Sequence, residues 1–178
     1  KDSYEFLKTH SALETVVFAV SQLEDDELFN AGIGSQIQSD GKIRMSASLM
    51  DGFTHKMSGV INIEEVKNPV QVAQVLLDFD DKVLGGSGAT NFARKHGFEV
   101  FSTEIPQRRS EYEAKLASSG TGTVGCVALD KDGKIAVATS TGGKGFEIPG
   151  RISDSATVAG NYANEFCGVS LTGVGEDI

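Results

Sequence analysis

The chain has 178 residues, 39% of them hydrophobic, which suffices for one domain with its own core. Lys and Arg number 16 against 25 Asp and Glu; the resulting net charge of −9 repels phosphate backbones and argues against a nucleic-acid partner. No apolar run approaches the ~20 residues of a membrane span, and the opening residues Lys1 to His10 are too polar for a signal peptide.

In chain order, Ser11 and Glu14 form an S-x-x-E capping box before the apolar run Val16 to Val20. This pattern predicts a buried helix running to about Glu24. LEDDELFNAGIGS follows and reads as an elaborate loop. Gln36 to Gln38 and Ile43 to Ser48 flank Ser-Asp-Gly-Lys and read as a hairpin. Asp51-Gly52 marks another turn, and Thr54 to Ile63 reads as a strand. Asn68-Pro69 then opens a helix whose apolar face is Val70, Ala73, Leu76 and Leu77. A short helix over Ala89 to His96 should end at Gly97 in the left-handed region. Phe98 to Phe101 reads as a strand, and Ser110 to Ala117 as a polar helix.

Val124 to Leu129 and Ile135 to Ser140, joined by Asp-Lys-Asp-Gly, give a strong hairpin signal. After the loop TGGKGFEIPGRISDS, Thr157 to Asn164 is helix-like and Gly168 to Leu171 is strand-like. Hairpin-linked strands flanked by helices favour an α+β layered fold over an alternating parallel sheet. Cys126 and Cys167 both lie in apolar stretches and read as small buried thiols, so a reducing cytoplasm is the expected compartment.

Gly120-Thr-Gly122-Thr-Val-Gly125 is a literal G-x-G-x-x-G. A dinucleotide loop needs a strand before the glycines and a helix after them, so that the helix N-terminus holds the pyrophosphate. Here the predicted order is the reverse: helix, glycines, strand. The alternative purpose is to present Thr123 for chain scission. Breaking the Gly122–Thr123 bond gives Thr123 a free α-amine, with a reference pKa of about 7.7–8.0. That amine can act as general base for the threonine's own hydroxyl. Gly122 would not hinder the scissile peptide. On spacing alone, a β-branched residue opening a strand is the more ordinary reading.

The segments around Thr123 are more specific. TVGCVALDKDGKIAVATSTGGKGFEIPGRISDSATVAGNYAN and LEDDELFNAGIGSQIQSDGKIRMSASLMDG together resemble the plant-type asparaginase/isoaspartyl peptidase family of N-terminal nucleophile (Ntn) hydrolases. The resemblance spans nearly the whole chain, in order. It implies a four-layer αββα sandwich forming a single domain over 1–178. Autocatalytic cleavage would divide it into an α part, 1–122, and the start of a β part from 123.

By the same resemblance, Thr123 is the nucleophile, Thr141 the second active-site threonine, and Asn30 a contact of the nucleophile's neighbourhood. Arg151 and Asp154 would anchor the substrate's carboxylate and ammonium, an assignment whose chemistry is sound, since Arg offers a planar fork and Asp an opposite charge. Thr172 and Gly173 would form the oxyanion hole, and Gly175, in Thr-Gly-x-Gly-Glu, would also bind substrate. Backbone carbonyls of Leu23, Glu24, Asp26, Phe29, Ala31 and Ile33 would hold a structural sodium ion. No organic cofactor is implied.

The implied activity is hydrolysis of L-asparagine and β-aspartyl dipeptides by an (αβ)₂ assembly. A glycosylasparaginase is a rival within the same chemistry. The opposed reading is an uncleaved, non-catalytic relative. Against the family, the chain resembles the middle of a full protein: an opening strand with His-Gly-Gly-Ala-Gly is expected before Lys1, and further helices and strands after Ile178. Either the chain is a fragment or it is a reduced relative. Lys144-Gly-Phe-Glu departs from the pattern expected before Pro-Gly-Arg, which leaves substrate preference open.

Overall fold

A computed structural model of the chain describes residues 1–114 and 122–173. Helix α1 (Asp2–Leu7) precedes α2 (Ala12–Glu24). Both halves of the predicted capping box form: Ser11 Oγ accepts from Glu14 N at 3.2 Å, and Glu14 Oε2 accepts from Ser11 N at 2.9 Å. The helix therefore starts one turn earlier than its apolar run, with its first N–H groups satisfied.

Strands β1 (Met45–Asp51) and β2 (Lys56–Ile63) form a hairpin around Gly52. After α3 (Pro69–Leu76) and a short strand β3 (Val83–Gly85) come α4 (Gly86–Lys95) and α5 (Pro106–Glu113). Strands β4 (Val124–Leu129) and β5 (Ile135–Thr141) form the second hairpin, as predicted. A 3-10 turn at Asp154–Ala156 leads to a two-stranded ribbon, β6 (Asn161–Ala163) with β7 (Gly168–Ser170).

The main sheet has the order β3-β2-β1-β5-β4, antiparallel except for the parallel β2–β3 pair. Alternation along its strands separates two faces. On one, Met45, Ala47 and Leu49 of β1, Val124 and Ala128 of β4, and Ala136 and Ala138 of β5 join α2 and α3 in the main core. The alanines let the helices approach closely, and each large aliphatic buried there contributes about 1.5–3 kcal/mol. On the other face, Met50 and Val137 pack on Ala163 of the ribbon, and Ser48 Oγ donates to Ser155 O at 2.7 Å. The protein is thus α+β, with helices on one face of a five-stranded sheet and a β-ribbon on the other.

Several expectations change. The Ser39–Lys42 turn exists, with Gln38 N donating to Lys42 O at 2.8 Å, but its arms make no ladder. Residues 36–39 bond instead to the loop after β5, through Phe146 N to Ile37 O and Ser39 N to Glu147 O. Phe98 to Phe101 is not a strand. Thr157 to Asn164 is not helical: Gly160 is pressed onto Asp154, where a Cβ would lie 2.8 Å from its carbonyl, and Asn161 starts β6. Neither cysteine is the buried thiol expected: Cys126 is half-buried and Cys167 exposed. The predicted polar helix ends at Glu113; residues 115–117 lie outside the described residues.

Candidate active site

The register of the β4–β5 hairpin decides what Thr123 faces. Val124 pairs with Ser140, so Thr123 stands opposite Thr141, and both point to the ribbon side. Thr123 Oγ1 donates to Thr141 Oγ1 at 3.0 Å. Thr141 is buried and its hydroxyl also accepts from Gly143 N at 3.2 Å. A hydroxyl before a strand is thereby held in a defined rotamer by a second, buried hydroxyl.

Asn30 closes the site from the long loop after α2. Its backbone N–H donates to Gly122 O at 2.9 Å, and its carbonyl accepts from Gly142 N at 2.8 Å. Its side chain is buried; Oδ1 accepts from Gln36 N at 2.9 Å and Nδ2 donates to Gly143 O. Close approach explains the surrounding glycines. A Cβ on Gly122 would lie 2.5 Å from Asn30 Cβ, and one on Gly142 would lie 2.4 Å from Ser35 Cβ.

The loop from Leu23 to Ile33 is folded back on the end of α2. Ile33 N donates to Glu24 O at 2.7 Å, Asp26 N to Leu23 O and Phe29 N to Asp26 O. Gly32, at φ +53, sits where a Cβ would be 2.2 Å from Glu24 O. Each of these carbonyls keeps a second lone pair, and neutral oxygen donors suit a hard cation. Within this loop Glu24 is wholly buried, accepting from Ser140 Oγ at 2.6 Å and Val70 N at 3.1 Å. Burial pushes its carboxyl up to about 8, against the lowering pull of those hydrogen bonds. It ties the loop to the residue beside Thr141.

Arg151 and Asp154 lie on the ribbon side of the sheet. Asn62 Nδ2 donates to Arg151 O at 3.1 Å, holding that loop to β2. Asp154 Oδ2 is buried with no hydrogen-bond partner among the described residues, and Gly160 leaves room for it, since a Cβ there would lie 2.9 Å away. Thr172 and Gly173 follow β7 and are exposed. Gly175 lies outside the described residues.

Sequence reasoning missed Asn62, Gln38 and Glu147. Asn62 adopts φ +52 inside β2, which Asn tolerates better than its apolar neighbours would; a lone Asn in the run Val-Ile-Asn-Ile was the available signal. Its Oδ1 accepts from Gln38 Nε2 at 3.3 Å. Glu147 is buried against Gly143, where a Cβ would lie 1.9 Å from Glu147 Oε1. That contact fixes the second glycine of the Thr-Gly-Gly turn.

Comparison with known proteins gives a consistent result. The asparaginase family matches residues 1–116 and 103–178. The chain is 48% identical to an isoaspartyl peptidase/L-asparaginase of Synechocystis sp., over 94% of this chain and 56% of the relative. It is 42% identical to an isoaspartyl peptidase of Escherichia coli, over 93% of this chain and 58% of the relative. With a plant-type L-asparaginase of Pyrococcus furiosus it shares 40% identity, over 96% and 63% respectively. The chain thus spans between 56% and 63% of the length of these relatives.

Proposed function

The chain belongs to the asparaginase family, and from that premise we propose that it is the nucleophile-bearing part of an autocatalytically processed amidohydrolase. Its substrates are L-asparagine and β-aspartyl dipeptides, from which it releases aspartate. The observation that carries this reading is the 3.0 Å contact between the hydroxyls of Thr123 and Thr141, directly after Gly122.

Self-cleavage comes first. Thr123 Oγ1 adds to the carbonyl carbon of Gly122, and its proton passes to the departing nitrogen. The C–N bond breaks, leaving an ester between Gly122 and the Thr123 oxygen. Water then opens the ester, giving a Gly122 carboxylate and a Thr123 with a free amine. Charge developing on Gly122 O is met by the Asn30 N–H that already donates to it at 2.9 Å.

Turnover repeats this chemistry on an outside amide. The Thr123 amine takes the hydroxyl proton and then gives it to the leaving ammonia or amine. An acyl-enzyme forms, and water releases aspartate. Thr141 holds the attacking oxygen in line. Arg151 takes the substrate's α-carboxylate. Asp154 takes the ammonium. Thr172 and Gly173 serve the developing oxyanion, with Gly175 beside them. Carbonyls of Leu23, Glu24, Asp26, Phe29, Ala31 and Ile33 would hold sodium, which would rigidify the loop carrying Asn30. The complete fold on this reading is the αββα sandwich, assembled as (αβ)₂, with no organic cofactor.

The test is intact-mass analysis of the full-length protein, with ammonia or amine release assayed on asparagine, a β-aspartyl dipeptide and a glycosylated asparagine. The expected result is two pieces, the second beginning at Thr123, active on the first two substrates. Thr123→Ala should remain whole and inert. Full activity with residue 123 still amide-linked to Gly122 would overturn the reading.

A further inference from the structure

Ribbon strand β7 is keyed to the nucleophile hairpin at two points, and each point pairs a glycine with a side chain. At one, Gly168 of β7 sits on β4 and β5, where a Cβ would lie 2.7 Å from Val127 Cγ1 and 2.8 Å from Ile135 Cγ2. At the other, Ser170 of β7 fills the space over Gly125 of β4, where a Cβ would lie 2.0 Å from Ser170 Oγ and 2.9 Å from its Cβ. Ser170 Oγ is also hydrogen-bonded to Thr139 Oγ1 at 2.7 Å, and Thr139 Oγ1 donates to Asn161 Oδ1 at 3.1 Å.

These contacts lie on the face that carries the site. Gly125 is two residues from Thr123, and its ladder partner Thr139 is two residues from Thr141. Side chains two apart on a strand share a face. A slip of β7 by two residues would drive Ser170 against Val127 or move Gly168 off it. A slip by one would turn Val169 inward and break the Thr139–Ser170 bond, leaving Thr139 its bond to Asn161. Only one register satisfies both glycines and the Thr139–Ser170 bond.

We propose that Gly125, Thr139 and Ser170 are positioning residues: their contact fixes where β7 ends, and hence where Thr172 and Gly173 fall relative to the Thr123 hydroxyl. The inference rests on the amidohydrolase reading for its chemical consequence, though the register key itself does not. Two residues beyond Ser170 the chain reaches Thr172, so a displacement of β7 is carried directly to the groups that meet charge on the substrate's amide oxygen. Those groups act on the transition state more than on the bound substrate, so the effect belongs in kcat.

The experiment is a rescue pair in the full-length protein. Gly125→Ala places a methyl on Ser170 Oγ and should lift β7, lowering kcat for asparagine about 10- to 100-fold at unchanged KM. Adding Ser170→Gly removes both clashing atoms, leaving the nearest remaining atom, Ala138 O, at 3.4 Å; the double variant should recover part of kcat and of Tm relative to Gly125→Ala, and stop short of wild type because the Thr139–Ser170 bond is gone. Val72→Ala, in the helix layer, lowers Tm without moving β7 and should leave kcat unchanged. If Gly125→Ala is as active and as stable as wild type, or if Ser170→Gly restores nothing, the key is wrong. If wild type itself hydrolyses none of the amides, the amidohydrolase reading fails instead. The key is then judged by Tm alone: non-additive recovery in the double variant upholds it, and additive losses overturn it.

Discussion

Thr123 and Thr141 face each other across the open end of the β4–β5 hairpin, with their hydroxyl oxygens 3.0 Å apart. The Thr141 hydroxyl accepts from both Thr123 and Gly143 N, so it is a fixed acceptor and not a free rotor. Thr141→Val keeps the shape and removes the acceptor. It should slow asparagine hydrolysis by about 10²–10³, a loss typical of one oriented polar group in a catalytic site. Thr141→Ser should retain most activity. Steady-state ammonia release from the two variants checks this, and an active valine variant would remove Thr141 from the chemistry.

Gly122 has no space for a side chain, because a Cβ would lie 2.5 Å from Asn30 Cβ and 2.6 Å from Asn30 N. Gly122→Ala must therefore push the Gly122 carbonyl away from the Asn30 N–H that holds it. The folded protein should accumulate uncut, with processing slowed at least about tenfold, read as the uncut fraction on a denaturing gel over time. Wild-type processing of the alanine variant would show that the Asn30–Gly122 contact does not direct scission.

Arg151 is held by its own backbone to Asn62, whose φ of +52 Asn adopts more readily than Ala. Arg151→Ala should raise KM for asparagine about 10- to 100-fold, the worth of one or two charge-assisted hydrogen bonds. Asn62→Ala loses the bond to Arg151 O and strains β2, so it should raise KM in the same direction by a smaller factor. Rates measured over a range of asparagine concentrations separate this from a fall in kcat. An unchanged KM in Arg151→Ala would free that residue from the substrate's carboxylate.

Legibility of the fold followed the range of the forces involved. The Ser11–Glu14 box and the Asp130–Gly133 turn are local, and both were readable as they stand. Thr157 to Asn164 was not: its small and apolar residues carry no strong period, and the chain is shaped there by Gly160 packing on Asp154. Gln36 to Gln38 look strand-like, yet besides the turn bond from Gln38 to Lys42 O they bond to Asn30, Phe146 and Glu147, partners no local pattern reveals. Within the site, the Gly-Thr pair at 122–123 was conspicuous, whereas Glu24 looked like one acid in an acidic run. Only packing places it in the core against Ser140.

Asp130 joins two distant parts of the chain through its carboxylate. Oδ1 accepts from Asp132 N at 3.0 Å and Lys134 N at 2.9 Å, closing the β4–β5 turn. Oδ2 accepts from Ala12 N at 3.1 Å, at the start of α2. Burial raises its pKa, but these N–H donors and the Lys134 charge outweigh burial and leave it below the usual carboxylate value. A carboxylate at a helix N-terminus is favourable for the same reason. The folded pKa lies below the unfolded one, so the native state releases this proton more readily. The resulting stability is fully present above the unfolded value of about 3.9 and is lost as pH falls through the folded pKa. Asp130→Ala strands three N–H groups and should cost about 1–3 kcal/mol at pH 7. Urea unfolding of both proteins at pH 7 and again below pH 4 checks the sign: the gap should narrow in acid, and a gap that stays constant or widens would mean the carboxylate's charge contributes nothing to the link between α2 and the hairpin.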